Sequence, residues 1–354
     1  MKMKKSIAIS HVREALTFAR IENGDRHRLI LVSQYEGGEV TGVDVTELLG
    51  ADMDDPIDAY AAHGYDFLAA LALSLETVTH PVSNLVLPVR LNASHIATGT
   101  NFPEHGREAS VTDGPFLFPK EVRPTAFNVP VSAGDSLLDY EAELCFVALD
   151  DMALDTPPER AGLLLCNDYT DRARLMRHID PRDVTSGTGF TTGKSAAGFL
   201  PVGNLFVIPR DMRAFAAAVE LRLRRNGDLK QSARQSDAIW DFDEILRRTK
   251  ARAGAVWDFE GRSVRLPLAD EAIPARTGLL GGTPDGTIFR GVNRSAMLLG
   301  LWDWLGCGRR GPLTRKVIER HIAQERRTKR YLQPGERVHI AVDHLGEIDT
   351  LIVD

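Results

Sequence analysis

Cysteine is scarce in this sequence: the 354 residues include three, Cys145, Cys166 and Cys307, an odd number at unrelated spacings. Cys145 and Cys166 lie in apolar runs, which reads as buried free thiols in a reducing compartment and not as a disulfide framework. Long apolar runs are also missing. The longest stretch of small apolar residues, Phe67 to Leu73, is far short of the ~20 residues that a spanning helix needs. The basic opening, Met1 to Lys5, resembles the start of a signal peptide, but His11, Arg13 and Glu14 interrupt the stretch where its apolar core would lie. A soluble, cytoplasmic protein without a membrane partner is expected. Positive charge is not in excess either: 49 Asp and Glu against 43 Lys and Arg leave −6, which excludes a wholly basic nucleic-acid coat. Internal repeats and low-complexity segments are absent.

What is present is ordinary globular material, 43% hydrophobic and 26% charged. The length allows two or three domains, or one large domain with a satellite, and a core that needs no disulfide or metal to hold it. The N-terminal part reads as a small α/β unit. Leu29 to Val32 is a short apolar strand, Gly37-Gly38 a turn, and Val40, Val43 and Val45 a partner strand. Ile57 to Leu75 has helical spacing, and Thr79 to Pro88, with its two prolines, reads as a linker. From Val89 onward the chain is rich in strands. Leu144 to Leu149 and Gly162 to Cys166 are apolar throughout, as strands buried on both faces are. Val219 to Arg224 alternates and meets Asn226-Gly227, a hairpin signal, and Val338 to Val342 with Thr350 to Val353 form a closing hairpin. From Arg309 to Arg330 nine basic residues face two acidic ones, a local +7 that leaves −13 for the rest. Val317, Ile318 and Ile322 give this stretch the stripe of a solvated helix, and a site for an anionic partner is the alternative.

Four constellations carry possible chemistry. Glu141 and Glu143 alternate along a strand, so both side chains take one face, just before an apolar run. Asp168 follows Leu163 to Cys166 and stands at a strand end. Three carboxylates on neighbouring buried strands make an oxygen-only site suited to Mg2+ or Mn2+, whereas a solvated strand end and a capping Asp are the plain alternatives. His105 and Glu108 are one helical turn apart, where a carboxylate would raise the basicity of the imidazole and suit it to activating water; a surface ion pair has the same spacing. Thr188 to Ser195 superficially resembles a phosphate loop, but the register of its glycines is wrong, leaving Lys194 as a buried or substrate-facing cation. Gly281 to Gly286 is a tight turn whose small residues allow a ligand close to the backbone, or simply connect two strands.

In order along the chain these pieces resemble the fumarylacetoacetate hydrolase family. Asn101, Phe102, His105 and Glu108 match its lid segment, Pro115, Phe118 and Lys120 its next block, and Tyr140 to Leu144 its Tyr-Glu-x-Glu-Leu strand. Asn167, Asp168, Thr170 and Arg172 come next, then Gly193 to Ser195, Pro201-Val202-Gly203, the Val219 to Gly227 hairpin, Gly282 to Gly286, and Pro334-Gly335. Phe102, Ala173 and Leu175 depart from the commonest family residues, and the first 85 residues match no motif. The resemblance implies an α+β, β-rich fold, with a mixed β-roll catalytic domain over residues 86–354 and a smaller N-terminal α/β domain over residues 1–85. Residues about 291–330, including the basic segment, then read as an insertion. It further implies Mg2+ or Mn2+ on Glu141, Glu143 and Asp168, a base at His105 oriented by Glu108, Lys194 holding charge that develops on oxygen, and Arg172 and Thr283 orienting substrate. The implied activity is hydrolysis of a C–C bond in a β-diketone or acylpyruvate-like 2-oxo acid by a homodimer. Decarboxylation of a 2-oxo acid, isomerisation, and dehydration of a keto-deoxy sugar acid use the same enolate chemistry, and a non-catalytic binding protein built on the basic segment is the reading outside enzymes.

Overall fold

The apolar runs become strands of one sheet. The computed structural model describes residues 6–354 apart from residues 25, 75, 110, 112, 292–301 and 303–311. In chain order the main strands are Ala15–Asn23 (β1), Arg26–Glu36 (β2), Glu39–Asp44 (β3), Val78–Pro81 (β4), Ser94–Gly99 (β5), Phe116–Glu121 (β6), Val131–Ser132 (β7) and Ala142–Val147 (β8). They continue with Gly162–Asn167 (β9), Val202–Pro209 (β10), Glu220–Arg225 (β11), Asp228–Arg234 (β12), Gly278–Leu280 (β13), Arg337–Val342 (β14) and Gly346–Val353 (β15). A ten-stranded sheet runs β4-β3-β2-β1-β10-β9-β8-β13-β5-β6, and a five-stranded sheet runs β12-β11-β14-β15-β7. Pairing in both is antiparallel except at β13–β5 and β15–β7.

Side-chain alternation divides the large sheet into two buried faces. Leu144, Phe146, Leu163, Leu165 and Val207 pack on one face against Leu221, Leu223, Val338, Ile340 and Ile348 of the smaller sheet. Cys145, Val147, Leu164, Cys166, Phe206 and Ile208 take the other face, under the helices Val45–Leu49 (α1) and Pro56–Ser74 (α2). This is why β8 and β9 are apolar at every position. It also sets the direction of three polar residues. Glu143 shares a face with Cys145 and Val147, Asp168 continues the series Leu164 and Cys166, and Lys120 continues Phe116 and Phe118.

The expected linker at Thr79 to Pro88 is instead part of the sheet. β4 pairs with β3, Thr79 lying opposite Thr41, and Leu85 bridges to Ile21. β1 in turn pairs with β10, Phe18 opposite Phe206, so the sheet runs unbroken past the division expected near residue 85. Among the described residues the remaining α-helices are Pro103–Ala109 (α3), Arg172–His178 (α4), Phe190–Lys194 (α5), Met212–Ala218 (α6), Phe242–Ala251 (α7) and Leu313–Thr328 (α8). α8 carries the described part of the basic segment. It buries Ile322 against the core and exposes most of its basic residues, as a solvated amphipathic helix does. Cys145 and Cys166 are buried free thiols; Cys307, Arg309 and Arg310 lie outside the described residues. Among the described residues no helix is long and apolar enough to cross a membrane.

Candidate active site

Antiparallel pairing brings the carboxylates together. Cys166 lies opposite Glu143 and Asn167 opposite Ala142, so the start of β8 adjoins the end of β9. The Asp168 N–H donates to Glu141 O at 2.9 Å, and Asn167 Oδ1 accepts the Glu141 N–H at 2.9 Å. Glu141, Glu143 and Asp168 are all buried, and each offers an oxygen within 4.8 Å of the other two.

Three buried cations surround them, and each has a distinct task. Lys194, at the end of α5, donates to Glu141 Oε2 at 2.7 Å and Asp168 Oδ2 at 2.9 Å. Lys120 donates to Asp168 Oδ1 and to the Lys194 carbonyl, both at 2.5 Å. Arg172 spans Asp139 Oδ2 at 2.8 Å and Glu141 Oε1 at 2.5 Å. Burial disfavours ionised Glu141, but Lys194 and Arg172 outweigh it and hold its carboxyl at about 2. Burial likewise opposes the Lys194 charge, and Asp168 and Glu141 more than restore it, raising that group. For Lys120 the burial wins over Asp168, with the Lys194 charge adding to the fall. Glu143 is different: among the described residues it has no ion-pair partner, and its Oε2 accepts only the Gly282 N–H, at 2.8 Å. Burial, then the charges of Asp168 and Glu141, push its carboxyl well above the ordinary range.

The turn after β13 closes the other side. Gly282 has φ 83°, and a Cβ there would lie 2.6 Å from Asn101 Cβ, so the N–H that reaches Glu143 needs glycine behind it. Thr283 is buried; its hydroxyl donates to Ala142 O at 3.1 Å and accepts from Gln231 Nε2 at 2.9 Å. Gln231 Oε1 accepts the Ala142 N–H at 3.0 Å. Gln231 therefore bolts the turn to the backbone between the two glutamates. Arg172 and Thr283, expected to orient substrate, direct these groups to buried partners in the protein itself.

His105 and Glu108 share one turn of α3, with His105 buried. His105 Nδ1 is 3.8 Å from Glu108 Oε2, longer than a hydrogen bond, and it has no hydrogen-bond partner. Burial alone would raise Glu108, but His105, the Gly286 N–H and Arg290 outweigh it and hold the carboxyl below its ordinary value. α3 is tied to the same turn that reaches Glu143: Asn101 Nδ2 donates to Gly281 O at 2.8 Å, and the Gly286 N–H donates to Glu108 Oε1 at 3.1 Å.

This donor set fits a hard divalent cation. The ligand atoms are oxygens, and the unpaired, crowded Glu143 is the group that a dication would relieve. Lys120, Asp139 and Gln231 carry structural weight that sequence reading did not assign. Lys120 stands in the Pro115, Phe118 and Lys120 block and in phase with Phe116 and Phe118 on a buried strand face; Asp139 and Gln231 carry no such signal, since Arg172 and Thr283, which they hold, are distant in sequence.

A family model described as fumarylacetoacetate (FAA) hydrolase C-terminal matches residues 94–353. Oxaloacetate tautomerase YisK of Bacillus subtilis (strain 168) is 29% identical over 164 residues, which cover 43% of this chain and 51% of that protein. The chain thus spans about half the length of the curated relative it matches. Fumarylacetoacetate hydrolase from psychrophilic Exiguobacterium antarcticum superposes with a TM-score of 0.58 at 19% identity, covering 96% of this chain and 99% of that one. Maleylpyruvate hydrolase from Sphingobium sp. SYK-6 gives 0.57 at 20%, covering 96% and 99%. The 2-hydroxyhepta-2,4-diene-1,7-dioate isomerase from Mycobacterium marinum gives 0.54 at 18%, covering 96% and 98%. These structures share the α+β, β-rich fold.

Proposed function

The chain belongs to the fumarylacetoacetate hydrolase family, and we propose that it is a divalent-metal-dependent hydrolase that cleaves a C–C bond in a β-diketone or acylpyruvate-like 2-oxo acid. The observation that carries this reading is the buried oxygen triad Glu141, Glu143 and Asp168, whose Glu143 is reached by the turn that also holds the helix of His105. Those three residues would hold Mg2+ or Mn2+, which when bound supplies Lewis-acid stabilisation of an enolate-like charge.

The remaining work falls to the chain. Lys194, buried and charged, holds negative charge that develops on substrate oxygen. Lys120 fixes both Asp168 and the Lys194 backbone, so neither can drift as charge moves. Arg172 serves by pinning Glu141, and Thr283 by pinning the turn, which keeps the two glutamates in register. His105 takes a proton from water, and the Glu108 carboxylate stabilises the imidazolium that results. Phe102, buried at the start of α3, keeps bulk water from this end. A small 2-oxo acid is the partner in this reading; a cytoplasmic homodimer belongs to it as well.

One observation favours a second reading. The His105–Glu108 pair is open at 3.8 Å, and a relative carries the name oxaloacetate tautomerase, so proton transfer at carbon without hydrolysis is the alternative. A panel of acylpyruvates and oxaloacetate, with Mg2+ or Mn2+ and with EDTA, tests both. Hydrolysis releases pyruvate and a second acid. Tautomerisation changes the enol absorbance with no new product, and decarboxylation releases CO2. Turnover that persists in EDTA would overturn the metal-dependent reading.

A further inference from the structure

We infer that Glu108 latches helix α3 to the turn after β13, and that Arg290 is a positioning residue that holds this latch shut. α3 is tied at both ends to residues 281–290, and at its start to Trp240 as well. At its start, buried Asn101 donates from Nδ2 to Gly281 O at 2.8 Å and to Trp240 O at 2.9 Å, and its Oδ1 accepts the Trp240 N–H at 2.7 Å. At its end, the Gly286 N–H donates to both Glu108 oxygens, at 3.0 and 3.1 Å, and Arg290 Nη1 lies 3.1 Å from Oε1. His105 sits between the two ties. The Glu108 carboxylate therefore commits its hydrogen bonds to the loop and leaves His105 Nδ1 without one.

The two ties differ in kind. Asn101 is fully buried and uncharged, whereas the Glu108 side chain is 20% exposed and that of Arg290 47%. The Glu108 end is the one that water and salt loosen, so α3 opens from its C-terminal end while Asn101 acts as the hinge. Gly286 fixes where the latch closes. Its φ is 94°, and a Cβ there would fall 1.9 Å from Lys230 O, so the donor sits where no other residue can put it. The inference rests on the functional reading only in tying latch closure to His105 chemistry; the latch itself stands without turnover.

Hydrogen exchange of the full-length protein, followed over residues 103–109 without substrate, is the test. Glu108→Gln loses the charge-assisted bonds and should speed exchange there about tenfold. Arg290→Gln loses one half-exposed ion pair and should speed it roughly threefold. Arg290→Lys should restore most of that change, and raising NaCl from about 0.05 M to about 1 M should move the wild type toward Arg290→Gln. Exchange in β8 and β9 should not change. If Arg290→Gln leaves residues 103–109 at the wild-type rate, or speeds β8 and β9 equally, the latch is wrong. A wild type that turns over no 2-oxo acid yet exchanges as described would sink the functional reading and leave the latch in place.

Discussion

Glu143 shows at the scale of one residue what the site is built for. Its neighbours neutralise each other, Lys194 and Arg172 on Glu141 and both lysines on Asp168, while Glu143 is left against two negative charges. Glu143→Gln should leave the metal-free protein as stable or more so, because an amide removes the repulsion. The same change should abolish the rise in Tm that Mn2+ gives the wild type; scanning fluorimetry with and without Mn2+ reads both, and an undiminished Mn2+ effect excludes Glu143 as a ligand. His105 makes a kinetic prediction. A positioned base supplies about 10²–10⁴-fold, so His105→Ala should lose roughly 3–5 kcal/mol in kcat/KM, most of it in kcat. Because Glu108 acts through α3 as well as on the ring, Glu108→Gln should lose a similar amount, and the double variant little more. Additive losses would separate the two. The convergence of Glu141, Glu143 and Asp168 was legible from alternation along two apolar runs. The commitment of Arg172 to Asp139 and Glu141 was not, because a motif gives a residue's presence and not the direction of its guanidinium.

Among the elements, the double-faced strands β8 and β9 and the β11–β12 hairpin could be read from the sequence because each signal is local: unbroken apolar runs, and Asn226-Gly227 at a two-residue turn. β4 was hidden for the opposite reason. Val78–Pro81 is short, has no buried residue and takes its support from β3, so its prolines and polar neighbours read as a connection. α8 was legible as a helix, and its attachment follows from the same stripe. Ile322 is 2% exposed in the main core, and Glu319 makes a two-point pair with Arg177 on α4 at 2.8 and 2.9 Å. Ile322→Ala should cost about 2–4 kcal/mol by chemical denaturation, whereas Glu319→Ala, a half-exposed pair, should cost under about 1 kcal/mol. A loss below about 1 kcal/mol at Ile322 would mean that α8 is not part of the core.

For the whole molecule, a partly buried network joins the two sheets. Tyr35 on β2 donates to Glu347 Oε1 at 2.6 Å, His339 Nε2 lies 3.0 Å from Oε2, and Asn204 Nδ2 donates to the Tyr35 hydroxyl at 3.1 Å. Burial opposes the Glu347 charge, but His339 and Tyr35 outweigh it and lower the carboxyl. A lowered folded value means that the stabilisation is complete above the unfolded value, near pH ~4.3, and is lost as pH falls through the folded one. Glu347→Gln should cost about 1–3 kcal/mol at neutral pH and flatten the acid side of the stability curve. An unchanged acid limb would remove Glu347 from the linkage. The continuity of the large sheet across the first 85 residues escaped sequence reading because β1 finds its partner far along the chain, and no local pattern records a pairing of that range.

That same pairing sets a timetable for synthesis. β1 can fold back on β2 as soon as both leave the ribosome, but the strand that covers its other edge contains Phe206, opposite Phe18. At about 5–20 residues per second, the nascent β1–β4 sheet waits roughly 6–26 s before the strand that covers this edge has been made. Edges of this kind recruit other strands. Chains that end before residue 202 lack the partner of Ala15 to Phe18.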